Sequence, residues 1–499
     1  MMLRKIVTRI LLGVLALIVV SAGGAWLFWP KSWTVNAPIT NSLFGWGGEP
    51  TPEDALRKQL TIPAGATINI YANGLSQARI LRWTAGGDLL VSVPRKGEVL
   101  LLRRDANHDG RADGTKVLVE GLNRPHGLEL HDGWLYIGET DAIARIRFDE
   151  ATGAVSGAVE RIVTGLPGGG NHWTRTLRMG PDGFMYVNVG SDCNVCIETD
   201  PRRATIMRFR PDGSGLEVYA DGLRNAVGFD WDPQGQLWAV VNGRDLLGDD
   251  FPPDQLQRVE KGKFYGWPYR NGDNVPDPDF GNHQDPRLAS YAAPWFALPP
   301  HGAALSIKFL TGANAPHGYE GKALVALHGS WNRTKKIGYE VVALSWDAGG
   351  KVSLAPFVSG FQSNENVIGR PVDTAQGPDG AIYISDDYAG AVYRLSFSGE
   401  TAAATPAPAV AGGGTELRES FAPASIDRGK RLFETTGCLE CHGSDAPPER
   451  KVPLKALRQR YNAQDIAALL AAPPSNMPLF ELDAHDKQDL AAYLLTTHP

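Results

Sequence analysis

The octapeptide Gly180-Pro-Asp-Gly-Phe-Met-Tyr-Val187 decides the fold, because its pattern returns five more times along the chain. A glycine-containing turn is followed each time by an apolar, strand-type run. The other copies are Gly86-Gly-Asp-Leu-Leu-Val-Ser92, His131-Asp-Gly-Trp-Leu-Tyr-Ile-Gly138, Asp232-Pro-Gln-Gly-Gln-Leu-Trp-Ala-Val240, Tyr319-Glu-Gly-Lys-Ala-Leu-Val-Ala326 and Gly377-Pro-Asp-Gly-Ala-Ile-Tyr-Ile384. The first four are spaced by about fifty residues, roughly the length of one four-stranded propeller blade. Six copies predict a six-bladed β-propeller with alternating apolar strands and insertions in the later blades. Unrelated β-hairpins are the alternative.

Outward from the repeats, the chain changes character twice. After Ser398 the stretch Thr401-Ala-Ala-Ala-Thr-Pro-Ala-Pro-Ala-Val-Ala-Gly-Gly-Gly414 cannot bury a core and reads as a flexible linker. Helical patterns follow, so a small all-α domain is expected over 421–499, after a propeller over 31–398 and a linker over 399–420. At the other end, Arg4, Lys5 and Arg9 precede an uncharged apolar run from Ile10 to Trp29. That run is about long enough to cross a ~30 Å hydrocarbon core. Residues 1–30 are read as an uncleaved anchor or a removed signal peptide. The expected placement is a bacterial inner membrane with one N-terminal span and both domains in the periplasm.

The 499 residues, 43% hydrophobic and 21% charged, belong to a folded globular chain of two domains or more. A net charge of −6 without a long basic run excludes nucleic acid as a partner.

The α domain carries Cys438-Leu-Glu-Cys-His442. Two thiols three apart followed by histidine are what covalent haem c attachment requires: Cys438 and Cys441 bond the vinyl groups and His442 ligates the iron. Met477, flanked by Pro473, Pro474 and Pro478, is the candidate sixth ligand, with His485 and His498 as the other options. The region resembles small class I cytochromes c, including Arg428-Gly-Lys-Arg-Leu-Phe433 and Asp489-Leu-Ala-Ala-Tyr-Leu494. The remaining cysteines, Cys193 and Cys196, lack a following histidine. In an oxidising compartment they read as a short-loop disulfide, with a redox dithiol or half a metal site as alternatives.

Four strings within the repeats, Gly170-Asn-His-Trp-Thr-Arg-Thr-Leu177, Gly222-Leu-Arg-Asn-Ala-Val-Gly228, Asn242-Gly-Arg244 and Gly262-Lys-Phe-Tyr-Gly-Trp-Pro268, resemble the pyrroloquinoline quinone (PQQ) dependent sugar dehydrogenases of the aldose and sorbosone type. The resemblance covers about residues 60–398 and implies oxidation of a sugar hydroxyl or aldehyde. His172 matches the family's catalytic histidine, and a base is what hydroxyl oxidation needs. A structural histidine packed by Trp173 is the other reading, and the orienting partner is open between Ser191 and Asp192. Arg224 and Asn225 match PQQ contacts, as does Arg370, whose usual companion arginine is Val372 here. Arg333 or Lys335 supplies a further cation. The resemblance also implies Ca²⁺ on the backbone carbonyls of Gly243 and Arg244. Separately, Asp105, Asn107, Asp109 and Asp113 are spaced as in short calcium loops, with Gly110 at the turn. The pairs Asp249-Asp250 and Asp277 with Asp279 read as loop carboxylates.

Together these features predict a quinohaemoprotein that passes electrons through haem c to a respiratory acceptor such as a cytochrome or terminal oxidase. A calcium-dependent lactonase or hydrolase, and a non-catalytic docking propeller beside a cytochrome, are the rivals.

Overall fold

The computed structural model describes residues 34–36 and 51–397, and in the C-terminal part 423–436, 438–442, 454, 457, 463–471 and 482–497. The apolar run 10–29, the Ala/Pro/Gly stretch, the Cys441 side chain, Met477 and His498 lie outside them. Two compact units emerge, one containing the blades and the other the C-terminal helices.

Six four-stranded antiparallel sheets form the propeller. Blade 1 runs through Leu81–Trp83, Leu89–Val93, Glu98–Leu102 and Thr115–Val119; blade 2 lies within 128–164, blade 3 within 177–221 and blade 4 within 228–298. Blade 5 lies within 304–358. Blade 6 takes three strands from 371–397 and its outermost from Ala66–Ala72, paired antiparallel with Ala391–Phe397 as Ile68↔Leu395 and Ile70↔Tyr393. The two ends of the propeller sequence thus close the ring, and closure leaves no exposed inner edge.

Each sequence repeat is the first hairpin of a blade plus its second strand. The glycine turns close as expected: Gly183 N–H donates to the Gly180 carbonyl at 3.0 Å, and Gly380 N–H to the Gly377 carbonyl at 3.0 Å. The turn aspartate then binds a tyrosine four residues on and an arginine of the third strand. Asp182 accepts from Tyr186 and Arg208 at 2.9 and 2.8 Å, and Asp379 accepts from Tyr383 and Arg394 at 3.0 and 2.8 Å. The expected alternation is not what the second strands show. Every residue of Leu89–Val93, Met185–Val189, Leu237–Val241, Ala323–Leu327 and Ile382–Asp386 is buried. Sheets covered on both faces by neighbouring blades demand continuous apolar strands. The blade 4 insertion falls between Asp254–Val259 and Phe296–Leu298 and contains the Gly262–Pro268 string.

This topology fixes where a site can form. The repeat turns occupy one end of the ring, so residues entering each first strand and leaving each second strand gather at the other. His172, Arg224, Asn225, Asn242, Gly243, His301, His328, Arg333 and Arg370 all fall in such segments.

In the C-terminal unit, helices Pro423–Thr435 and Ala484–Thr497 pack around Phe433, Cys438, Leu490 and Leu494. They cross at Gly429, where an added Cβ would stand 1.9 Å from the Asp489 carbonyl oxygen. Phe433 lies against Tyr493 with ring centroids 5.5 Å apart, and Asp489 accepts from Arg428 Nε at 2.5 Å. Gly429→Ala is therefore expected to cost this unit about 1–3 kcal/mol or more by overpacking. Thermal melts should show its transition moving down while the propeller transition stays in place.

The membrane placement needs correction. Among the described residues no helix is long and apolar enough to cross a membrane, and the run that suggested a span lies outside them. The inner-membrane, periplasmic placement is withdrawn.

Candidate active site

His172 sits just before the first strand of blade 3, and Ser191 just after its second. Their approach depends on Gly190, where a Cβ would fall 2.5 Å from His172 Cβ and 2.6 Å from Asn225 Oδ1. His172 Nδ1 lies 2.8 Å from the Ser191 carbonyl oxygen and 2.9 Å from Ser191 Oγ. Ser191 Oγ spends its single hydrogen on the Cys193 carbonyl at 2.8 Å. Both oxygens facing Nδ1 are therefore acceptors, which places the imidazole proton on Nδ1 and leaves the Nε2 lone pair available. Ser191 is the orienting partner; Asp192 instead faces Arg203, 3.5 Å away. Trp173 takes the Arg124 guanidinium over its ring at 4.0 Å and meets His126 edge-on.

Burial, reinforced by the Arg224 charge, pulls the His172 pKa down to about 3. The ring is neutral at physiological pH.

Arg224 is buried and held on several sides. Its Nε donates to the Asn194 carbonyl at 2.9 Å, and Nη2 donates to Asn194 Oδ1 at 2.9 Å and Asp245 Oδ2 at 2.8 Å. The residue the resemblance matched to a PQQ contact is thus a pinned cation paired with Asp245. Neighbouring Asn225 donates to Asn242 Oδ1 at 3.1 Å, while its own Oδ1 is buried without a partner. Asn332 donates to Asp245 Oδ1 at 3.1 Å and to His301 Nδ1 at 3.2 Å, and its Oδ1 is likewise unpartnered.

Arg370 belongs to a second cluster. Its Nη2 donates to His328 Nδ1 at 2.8 Å, His328 Nε2 donates to Asp387 Oδ1 at 2.8 Å, and Arg79 Nη1 donates to Asp387 Oδ2 at 2.7 Å. Burial and the Arg370 charge lower the His328 pKa to about 4. Val372, which the resemblance put at the position of a second arginine, packs with Val227 and Leu305 from the first-strand regions of blades 4 and 5. Lys335 is exposed. Arg333 binds the Asp249 carbonyl and Asp250 Oδ1, its Nε remaining unpartnered.

Arg244 donates to both Asp277 oxygens at 2.6 Å and also binds Asp279. The two acidic pairs are therefore guanidinium partners. The Asp105–Asp113 segment folds on its own amides: Asp105 accepts from the N–H groups of Asp109 and Gly110 at 3.0 and 2.7 Å, and Asp113 from that of Ala106 at 3.0 Å. Asn107 Oδ1 accepts from Asp109 N–H at 2.9 Å. Cys193 and Cys196 are joined by a disulfide. Glu198 lies close by, but sulfurs joined to each other offer a metal no thiolate. In the C-terminal unit Cys438 is a buried thiol, and His442 N–H donates to its carbonyl at 2.9 Å, so the pair spans one helical turn. His485 Nδ1 is 3.1 Å from Asp489 Oδ2.

Sequence reading missed Asn194, Asp245, Asn332, His301, His328, Asp387 and Arg79. Registering the blades finds most of them, because His328 and Asp387 directly follow second strands and Arg79 shortly precedes a first.

Six blades thus bring a neutral histidine beside a pinned arginine at one end of the ring. A family model described as TrAA12-like matches residues 60–269 and 270–398, more than half of the chain, and the chain belongs to that family. It is 29% identical over 420 residues to a pyrroloquinoline quinone-dependent pyranose dehydrogenase of Coprinopsis cinerea, covering 70% of this chain and 55% of that protein. The chain thus spans about half the length of that relative. An uncharacterized protein of Borreliella burgdorferi is 30% identical over 296 residues, 56% of this chain and 78% of its own. Among solved structures, the holo PQQ domain of the Coprinopsis cinerea pyranose dehydrogenase superposes with a TM-score of 0.59 at 24% identity, covering 70% of this chain and 98% of that one. The calcium structure of the Trichoderma reesei Family AA12 enzyme gives 0.59 at 20% identity, covering 68% and 97%. At these identities the structural likeness establishes the propeller.

Proposed function

We propose that the propeller is a PQQ-dependent dehydrogenase of a sugar or related alcohol or aldehyde, and that the C-terminal helices carry a haem c that relays its electrons. The observation that carries this reading is the neutral His172, its proton committed to Nδ1 and its Nε2 lone pair unspent beside the fixed Arg224 charge.

The pocket's donor set suits a planar polyanion. The unpartnered Arg333 Nε and the guanidinium charges of Arg224 and Arg370, the latter also bonded to His328, are the groups that favour an anion there. Arg224, Asn225, Arg370 and Arg333 would hold PQQ, which supplies a two-electron acceptor when bound. Ca²⁺ would take the Gly243 and Arg244 carbonyls, and a structural Ca²⁺ the Asp105, Asn107, Asp109 and Asp113 loop.

Within this frame His172 Nε2 accepts the substrate hydroxyl proton, the resulting charge is stabilised by Ser191 at Nδ1, and Arg224 opposes premature protonation of the ring. Cys438 and Cys441 would tether the haem, with His442 and Met477 as iron ligands; His485 is already engaged with Asp489. A division into a propeller over 31–398, a linker over 399–420 and a haem domain over 421–499 follows from the composition. Tethering the acceptor raises its effective concentration beside the propeller, and an external electron acceptor completes the path.

Adding PQQ and Ca²⁺ to the full chain tests this directly. Substrate-dependent reduction of the haem band that needs both additions is the expected result. Tight PQQ binding without turnover points to docking alone, and cofactor-independent cleavage of a lactone points to a hydrolase. Removing residues 421–499 should leave dye-linked oxidation intact and abolish transfer to the protein acceptor.

A further inference from the structure

One short loop touches both halves of the pocket. Ser191 leaves the second strand of blade 3, and two residues later the Cys193–Cys196 disulfide closes a small covalent ring. Cys193 and Asn194, adjacent in that ring, face different tasks. The Cys193 carbonyl takes the Ser191 hydroxyl hydrogen, and this turns the Oγ lone pair toward His172 Nδ1. Asn194 receives Arg224 through its carbonyl and Oδ1, both at 2.9 Å. Its Oδ1 also accepts the Asp245 N–H at 2.8 Å, and its Nδ2 donates to the Asp245 carbonyl at 3.1 Å.

The ring is the covalent restraint on a segment otherwise held by hydrogen bonds such as Ser191 N–H to the Arg224 carbonyl at 2.8 Å and Asp192 N–H to Glu198 at 2.7 Å. Residues 191–198 contain no strand or helix, so no ladder of backbone hydrogen bonds holds them. Within such a loop a covalent crosslink is the element that limits how far the Cys193 carbonyl and Asn194 can wander. The ring atoms are only half-buried, and a thiol reagent can therefore reach them.

We propose that the Cys193–Cys196 ring is a positioning element that sets His172 through Ser191 and Arg224 through Asn194. Opening it impairs the base and the cofactor pocket together. This rests on the dehydrogenase reading. Opening breaks the S–S bond and leaves two thiols; a dithiol reductant supplies the two electrons and two protons and is itself oxidised to a cyclic disulfide.

Four variants of the full chain separate the roles, each read by PQQ affinity from tryptophan quenching and by kcat at saturating PQQ. Asn194→Ala is expected to weaken PQQ binding about tenfold, the scale of one hydrogen bond to a charged group, with kcat little changed. Ser191→Ala should lower kcat about tenfold with affinity unchanged, and Ser191→Thr, which keeps the hydroxyl, should restore it. Cys193→Ser/Cys196→Ser should show both losses, as should wild-type protein reduced with dithiothreitol, alkylated and desalted. A disulfide-free protein with wild-type affinity and kcat overturns the inference, and so does an Asn194→Ala or Ser191→Ala variant lacking its predicted defect. Wild-type protein that fails to bind PQQ overturns the dehydrogenase reading and this inference with it; wild-type binding and turnover matched by the disulfide-free variant overturns the inference alone.

Discussion

His172→Gln is expected to lower kcat for substrate oxidation by about 10²–10⁴-fold, the usual contribution of a positioned general base, while PQQ affinity and the haem spectrum stay as in the wild type. Glutamine can still donate to the Ser191 oxygens, so the pocket keeps its shape, but its amide cannot accept a proton. The wild-type pH profile carries the same information. With the His172 pKa down to about 3, the base is deprotonated throughout the neutral range, and the acid limb it causes should begin only below about pH 4. Stopped-flow reduction of the PQQ-loaded enzyme measures the step before electron transfer to haem. A His172→Gln enzyme within tenfold of wild type at pH 7 would remove the histidine from the chemistry.

How much of this was legible in the chain varies with the physical signal. The six-fold repeat is a local signal: a glycine turn leading into an apolar strand recurs in each blade, and in blades 3 and 6 the turn also carries the same Asp182–Tyr186 and Asp379–Tyr383 bond. The strand pattern was misread as alternating because periodicity reports one covered face, whereas a blade has two. His172 and Arg224 were found through their strings. Their partners were not, because Asn194, Asp245 and Asn332 lie far apart in sequence and meet only when blades 3, 4 and 5 converge. A resemblance also names a charge without its compensation: Arg224 was matched as a PQQ contact, and only the fold shows Asp245 2.8 Å from it. Val372, which the resemblance also pointed to, is packed with Val227 and Leu305.

The second large effect is expected at Asp387, which no string pointed to. Its two oxygens serve Arg79 and His328, and through His328 it holds Arg370. All of these side chains are largely buried, and Asp387 is the anion of the group: the hydrogen bond from His328 and the charges of Arg79 and Arg370 overcome its burial and keep the carboxyl far below the usual range. Asp387→Ala leaves Arg79 and Arg370 packed without a counter-charge and His328 without its acceptor. Breaking a buried pair this way costs about 3–5 kcal/mol, so the urea midpoint of the propeller should fall sharply, and PQQ affinity should fall with it as Arg370 loses its support. Asp387→Asn, which keeps an acceptor oxygen, should fall between the two. The acid dependence distinguishes lost pairing from simple loss of volume. His328 is neutral in the fold with a pKa of about 4 against about 6.5 when unfolded. The unfolded chain therefore binds the extra proton in between: His328 contributes its stability above about pH 6.5, and loses it as pH falls toward 4. Asp387 is one of the groups that raise the His328 pKa, so removing it drives that pKa lower. Asp387 itself makes the wild type lose stability below about pH 4, so the His328 titration is the sharper readout: followed by NMR, it should move lower in the Asp387→Ala protein. An unchanged His328 midpoint would mean that Asp387 does not act on His328.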